Sequence, residues 1–147
     1  MIRHFALAVV FLACAGIYGC RNQTSGLIQS AARGDEAVTF SNLRSIMLAQ
    51  QAYNLSTGSY GTFQQLTEGG YLNAKFAEEK PVVSEYAYTM TVTEKTPDAP
   101  MTSYSCNADP TRTGDRGGRH LYIDSNSHDI HANATQPATA ADEIIKP

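Results

Sequence analysis

Near the C-terminus, His128, Asp129, Ile130 and His131 follow shortly after Asp124, and imidazoles with carboxylates are a ligand set that zinc and similar ions accept. The run has strand character, however, and strand residues three apart point to opposite faces, so His128 and His131 converge only if a turn intervenes. The plainer reading of these side chains is exposed polar residues beside a turn. Arg112, Arg116 and Arg119 stand around Gly114, Gly117 and Gly118, an arrangement that could offer a small cationic patch to a phosphate or an anionic polymer. A solvated loop is the default for three charges in such a segment. No Gly-x-Ser-x-Gly elbow, His-Glu-x-x-His helix, phosphate loop or Cys-x-x-Cys pair occurs. The expectation is a protein with no catalytic residue, no metal and no cofactor. A small metal-dependent enzyme built on Asp124, His128 and His131 is the minor alternative.

Cys20 carries chemistry through its position. Arg3 and His4 precede an unbroken apolar run from Phe5 to Tyr18, and Gly19-Cys20 follows at once, the order of a secretory leader. The run is about 14 residues, or ~21 Å as a helix, against a hydrocarbon core of ~30 Å, so a cleaved leader fits it better than a permanent span. Ile17-Tyr18-Gly19-Cys20 resembles the box at which bacterial lipoproteins are acylated and cut, with Tyr18 where a smaller residue is usual. Cys14 is a poorer second candidate. Residues 1–19 are therefore expected to be the leader. A lipid on Cys20 would hold the body to a membrane of the cell envelope, facing the periplasm or the outside. An ordinary secretory leader with Cys20 incidental is the bland alternative.

With Cys20 lipidated, Cys106 alone remains, so no internal disulfide can form, and its strand-like setting predicts a buried thiol rather than intermolecular pairing. Loss of Arg3 with the leader leaves ten Lys and Arg against fourteen Asp and Glu, a net charge of −4. An acidic chain without a basic cluster argues against a nucleic-acid partner.

The elements that must position these residues follow in order. Residues 20–33 are expected to be a polar tether and helix lead-in, with Arg21 to Gly26 flexible. Ile28, Ala32, Phe40, Leu43, Ile46, Met47, Ala49 and Tyr53 recur at spacings of three and four, predicting an amphipathic helix whose strong part runs from Asp35 to Ser56, with Gly34 a possible break. Thr62-Phe63-Gln64-Gln65 reads as a capping box that opens a short helical turn carrying Leu66, and Gly69-Gly70 closes it. A second short helix is expected from Ala74 to Glu79, ending before Pro81.

The period then changes to two. Tyr86, Tyr88, Met90 and Val92 alternate with Ala87, Thr89, Thr91 and Thr93 in the clearest strand of the chain. Further strands are expected at Met101 to Ala108, Arg119 to Asp124 and His128 to Ala132, with residues 111–118 a loop and residues 133–147 a tail trailing along the surface. One long helix followed by a meander predicts an α+β fold, the helix packed on a small three- to four-stranded antiparallel sheet, with the domain spanning residues 34–132. The tyrosines beyond the leader, Tyr53, Tyr60, Tyr71, Tyr86, Tyr88, Tyr104 and Tyr122, should be mostly core residues with hydroxyls at its edge, and an exposed subset could mark a protein-contact surface.

This order, with several local strings, resembles the soluble part of type IV pilins and of the pseudopilins of type II secretion. Gly34 to Ile46 and Ala49 to Tyr53 look like the second half of the pilin spine helix. Gly58-Ser59-Tyr60-Gly61-Thr62-Phe63, Gln65-Leu66 and Gly70-Tyr71-Leu72 look like the loop that leaves it, and Tyr86 to Thr93, Ser103 to Pro110 and His120 to Asp124 look like its sheet. The N-terminus departs from the family: there is no Gly-Phe-like processing site, and Val9 stands where a pilin has its Glu. The resemblance implies a non-enzymatic structural or accessory interaction domain with partners of the pilus or secretion type, here on a lipid anchor. A divergent minor pilin or pseudopilin that keeps residues 5–20 as a helix in a filament is the alternative. The resemblance to pseudopilins also implies a C-terminal calcium loop, for which Asp109, Asp115 and Asp124 are the available carboxylates. Their spacing is irregular and no Asp-x-Asp-x-Asp-Gly run exists, so turn-capping is their expected role.

Overall fold

The structure, a computed structural model, describes residues 21–96, 102–112 and 118–146. Helix α1 runs from Arg21 to Thr57, 37 residues or about 55 Å long. It is longer than the expected Asp35 to Ser56. The segment expected to be a tether is helical, and Gly34 does not interrupt it: no Pro is present, and one Gly in a long helix costs only about 1 kcal/mol. Among the described residues no helix is long and apolar enough to cross a membrane.

Gly58, at φ +75°, ends α1 in the left-handed conformation that glycine adopts without a Cβ clash, and its N–H donates to the Asn54 carbonyl at 2.8 Å. Helix α2 (Phe63–Glu68) then starts from the expected capping box: Thr62 Oγ1 accepts from the Gln65 N–H, and the Gln65 side chain accepts from the Thr62 N–H. The expected helix from Ala74 to Glu79 is a single 3-10 turn, Ala74–Phe76, capped by the Asn73 side chain.

The sheet is larger than expected. Six antiparallel strands lie in sequence order: β1 (Val82–Val83), β2 (Tyr86–Thr93), β3 (Ser103–Pro110), β4 (His120–Asp124), β5 (Ile130–Asn133) and β6 (Glu143–Ile145). The two additional strands are the outermost ones. β1 is joined to β2 by Ser84 and Glu85, both at positive φ (51° and 62°), a two-residue hairpin turn built without the Gly or Asn that normally announces one. β6 comes from residues 133–147, expected to trail along the surface. It pairs with β5 through Ile130↔Ile145, and Asp142 ties the connection by accepting from Asn133 Nδ2 and from the Thr139 backbone and hydroxyl.

One sheet face carries α1. Phe40, Leu43, Ile46, Met47 and Ala49 are buried on the helix, Tyr86, Tyr88, Tyr104, Cys106, Leu121 and Ile123 on the sheet. Phe63 stacks on Phe76 at 5.8 Å, and Phe76 meets Tyr88 edge-on at 5.2 Å. Cys106 is fully buried within this layer, as its strand setting predicts, and burial pushes its thiol pKa up. Three polar helix residues enter the core with partners. Asn42 Nδ2 donates to the Tyr88 hydroxyl at 3.0 Å, Thr39 Oγ1 to the Asp35 carbonyl at 2.8 Å, and Gln50 clasps Gly61, accepting from its N–H at 2.9 Å and donating to its carbonyl at 2.7 Å.

Candidate functional site

The metal candidates do not converge. The His128 Nε2 lies 2.5 Å from the Gln51 amide nitrogen, on the helix side of the sheet. His131 sits in β5 on the opposite face, where its Nδ1–H donates to the Asp142 carbonyl at 2.9 Å and its ring meets Tyr122 edge-on. Asp124 ends β4 and caps the turn after it: one oxygen accepts from the Asn126 and Ser127 N–H groups, both at 2.9 Å, and the other from the Tyr122 hydroxyl at 3.2 Å. Among the described residues no group of three or more His, Cys, Asp and Glu side chains could hold a metal ion.

Sequence reasoning missed the pair Asp109 and His120, neighbours on the outer face with Oδ1 and Nδ1 2.6 Å apart. An imidazole oriented by a carboxylate is the base half of a hydrolytic triad. The positions directly across the ladders are Ala87 beside Asp109 and Asn133 beside His120, neither a nucleophile. Of the three carboxylates suggested for calcium, Asp109 and Asp124 are thus engaged separately, and Asp115 lies outside the described residues.

The arginines also separate. Arg116 lies outside the described residues. Arg112 is exposed and pairs with Glu85 at 3.1 Å. Arg119 reaches across to α1, where its Nη2 and Nε donate to Glu36 Oε1 at 2.6 and 3.1 Å and its backbone N–H donates to Oε2 at 3.2 Å. The bond to Glu36 raises the Arg119 pKa further. Tyr86 completes the pin by donating from its hydroxyl to the Arg119 carbonyl at 3.2 Å, with Gly118 packed against that hydroxyl. Beside it, Ala32, Asp35, Glu85 and Arg112 rim a hollow with room for about one water. The charge that suggested an anion patch is, at Arg112 and Arg119, used within the protein.

The side of α1 turned away from the sheet is different in kind. Val38, Ser41, Ser45, Leu48, Ala52 and Leu55 are all exposed there, with Val38 at 44%, Leu48 at 66% and Leu55 at 87%. They recur at alternating steps of three and four, the a and d positions of a heptad, and the series continues toward the N-terminus through Gly34 and Ala31. None is charged, and the Ser45 hydroxyl is turned back onto the Ser41 carbonyl at 2.9 Å, so the stripe presents little polarity. The buried face of the same helix has the stronger period, through Phe40, Leu43, Ile46 and Met47. This second, weaker period was legible in the same residues.

The chain matches no protein-family model, no curated protein and no solved structure.

Proposed function

We propose that this is a non-enzymatic, pilin-like protein of a bacterial cell envelope, held to the membrane by a lipid on Cys20 and acting as a structural or accessory interaction domain. The observation that carries the reading is the outward stripe of α1, uncharged and of small and apolar residues in heptad register over Ala31 to Leu55. Its occupant is the corresponding helix of a neighbouring subunit leaving the same membrane, since two such helices run parallel and bring like a and d positions together. The pilin-like strings in the helix, the loop after it and the sheet support the same reading, and so does the expected lipoprotein box.

Intact mass and N-terminal analysis of the chain recovered from bacterial membranes tests the anchor. The expected product begins at acylated Cys20. A product that keeps Phe5 to Cys20 overturns the lipoprotein and makes a divergent filament subunit the better reading. Disulfide cross-linking in the membrane tests the surface: Ser45→Cys and Ala52→Cys should cross-link between chains, and Gln64→Cys on α2 should not. Equal cross-linking at all three positions removes the stripe as the interface.

A further inference from the structure

The two edges of the sheet are built differently. β6 is three residues long, contains Glu143 and is followed by Lys146 and Pro147, features that discourage the addition of another strand. β2 is less protected within its own length: from Tyr86 to Thr93 it has no charge, no Pro, no Gly and an unbroken register with β3, and the charges of Glu94 and Lys95 come only after it. β1 covers only its first residues, through Val83↔Tyr86, Val82↔Ala87 and a bond from the Tyr88 N–H to the Pro81 carbonyl at 2.9 Å. That last bond sets the parity. Tyr88, Met90 and Val92 direct N–H and C=O away from β3, and among the described residues no strand pairs with Met90 or Val92 on that side.

We infer that the open edge of β2, Met90 to Thr93, takes up an extended segment of a different envelope protein as a seventh strand. The side chains define what fits. Met90 and Val92 point to the α1 side and are half-buried, while Thr89, Thr91 and Thr93 are exposed on the other face. The incoming segment therefore alternates apolar with hydroxyl-bearing residues and has no Pro where its amides meet β2.

A second copy fits poorly. An antiparallel β2–β2 pair with like faces aligned needs a 180° rotation about the sheet normal, and α1 lies along the sheet from Glu36 at Arg119 to Gln51 at His128. The rotation reverses α1, so the two N-termini would head in opposite directions and one membrane could not hold both. A parallel pair instead sets Met90 and Val92 beside the partner's threonine face. This exclusion of a second copy rests on the proposal above that residues before Arg21 fix every chain to one membrane.

The test uses the full chain in lipid nanodiscs and a synthetic peptide copying residues 87–95, which is free of the helix constraint. Amide exchange read by NMR should find Met90 and Val92 exchanging fast in the free protein, and slowed by about ten-fold or more with the peptide, while Thr89 and Thr91 are protected throughout. Protection should be absent with a peptide of the same composition whose alternation is scrambled, and with one N-methylated at alternate amides. Val92→Pro removes one outward N–H without touching the β3 ladder and should abolish the effect. Fast exchange unchanged by the peptide, or equal protection from the N-methylated peptide, overturns the inference. Protection of Met90 and Val92 without peptide in a dimeric chain also overturns it, in favour of a second copy. The mass of the N-terminus is measured on the same sample, so a missing anchor is distinguished from a closed edge.

Discussion

The guanidinium of Arg119 closes on the carboxylate of Glu36 at 2.6 Å across 83 residues of sequence, joining the loop before β4 to α1. Glu36 is mostly buried and Arg119 about two-fifths exposed, so screening limits the contribution of the pair. Glu36→Gln should cost about 0.5–1 kcal/mol, and a double-mutant cycle with Arg119→Gln should return most of that as coupling. Urea titrations of the four proteins measure it.

Gly118 fills the space under the Tyr86 hydroxyl, where a Cβ would overlap that oxygen and also approach Glu36 Oε2 at 3.3 Å. Gly118→Ala should therefore destabilise the fold by about 1–3 kcal/mol through overpacking. Adding Tyr86→Phe should recover part of the loss because it removes the overlapping oxygen. The midpoint of denaturant unfolding reads both effects.

The turn between β1 and β2 holds two non-glycine residues in the left-handed region. Glu85 is committed, because its carbonyl accepts from the Thr111 N–H and its carboxylate pairs with Arg112. Ser84 is the position to relax. Ser84→Gly should stabilise the protein by about 0.5–1 kcal/mol, seen as a higher melting temperature.

Gln50 is fully buried and satisfies both backbone groups of Gly61. Gln50→Leu keeps the volume but leaves a buried N–H and C=O without partners, at a cost of about 2–4 kcal/mol. Gln51→Leu, one residue on and exposed, should change stability by less than about 0.5 kcal/mol. Comparing the two by thermal unfolding separates the clasp from helix propensity.

Alkaline pH should unfold the protein cooperatively. Burial raises the pKa of Tyr86, Tyr88 and Tyr104 above the ordinary 10.0. A raised folded value means that the stability is fully present below pH 10 and is lost as the pH climbs from there toward the folded values, because the unfolded tyrosines release protons first. Tyr104→Phe should reduce the slope of stability against pH by about one proton, ~1.4 kcal/mol per pH unit. Tyrosinate absorbance followed together with circular dichroism checks that ionisation and unfolding coincide.

What the sequence determined by itself is local. The three- and four-residue spacing of Phe40, Leu43, Ile46 and Met47, the capping box from Thr62 to Gln65 and the two-residue alternation of β2 each depend on neighbours a few positions away, and each has its expected form. So does the α+β arrangement of one helix on an antiparallel sheet. Tertiary structure decided what local pattern cannot carry. β1 and β6 are too short to show a period and exist because β2 and β5 offer them a ladder. The arginines looked alike in the sequence, yet Glu36 selects Arg119 and Glu85 selects Arg112 only once the chain is folded. His128 and His131, three apart on paper, are separated because His128 stays in the bend before β5, beside Gln51 of α1, while His131 lies within β5 with its side chain on the face away from α1. The outward stripe of α1 and the bare edge of β2 are surfaces, and a surface is defined only when every other element has been placed.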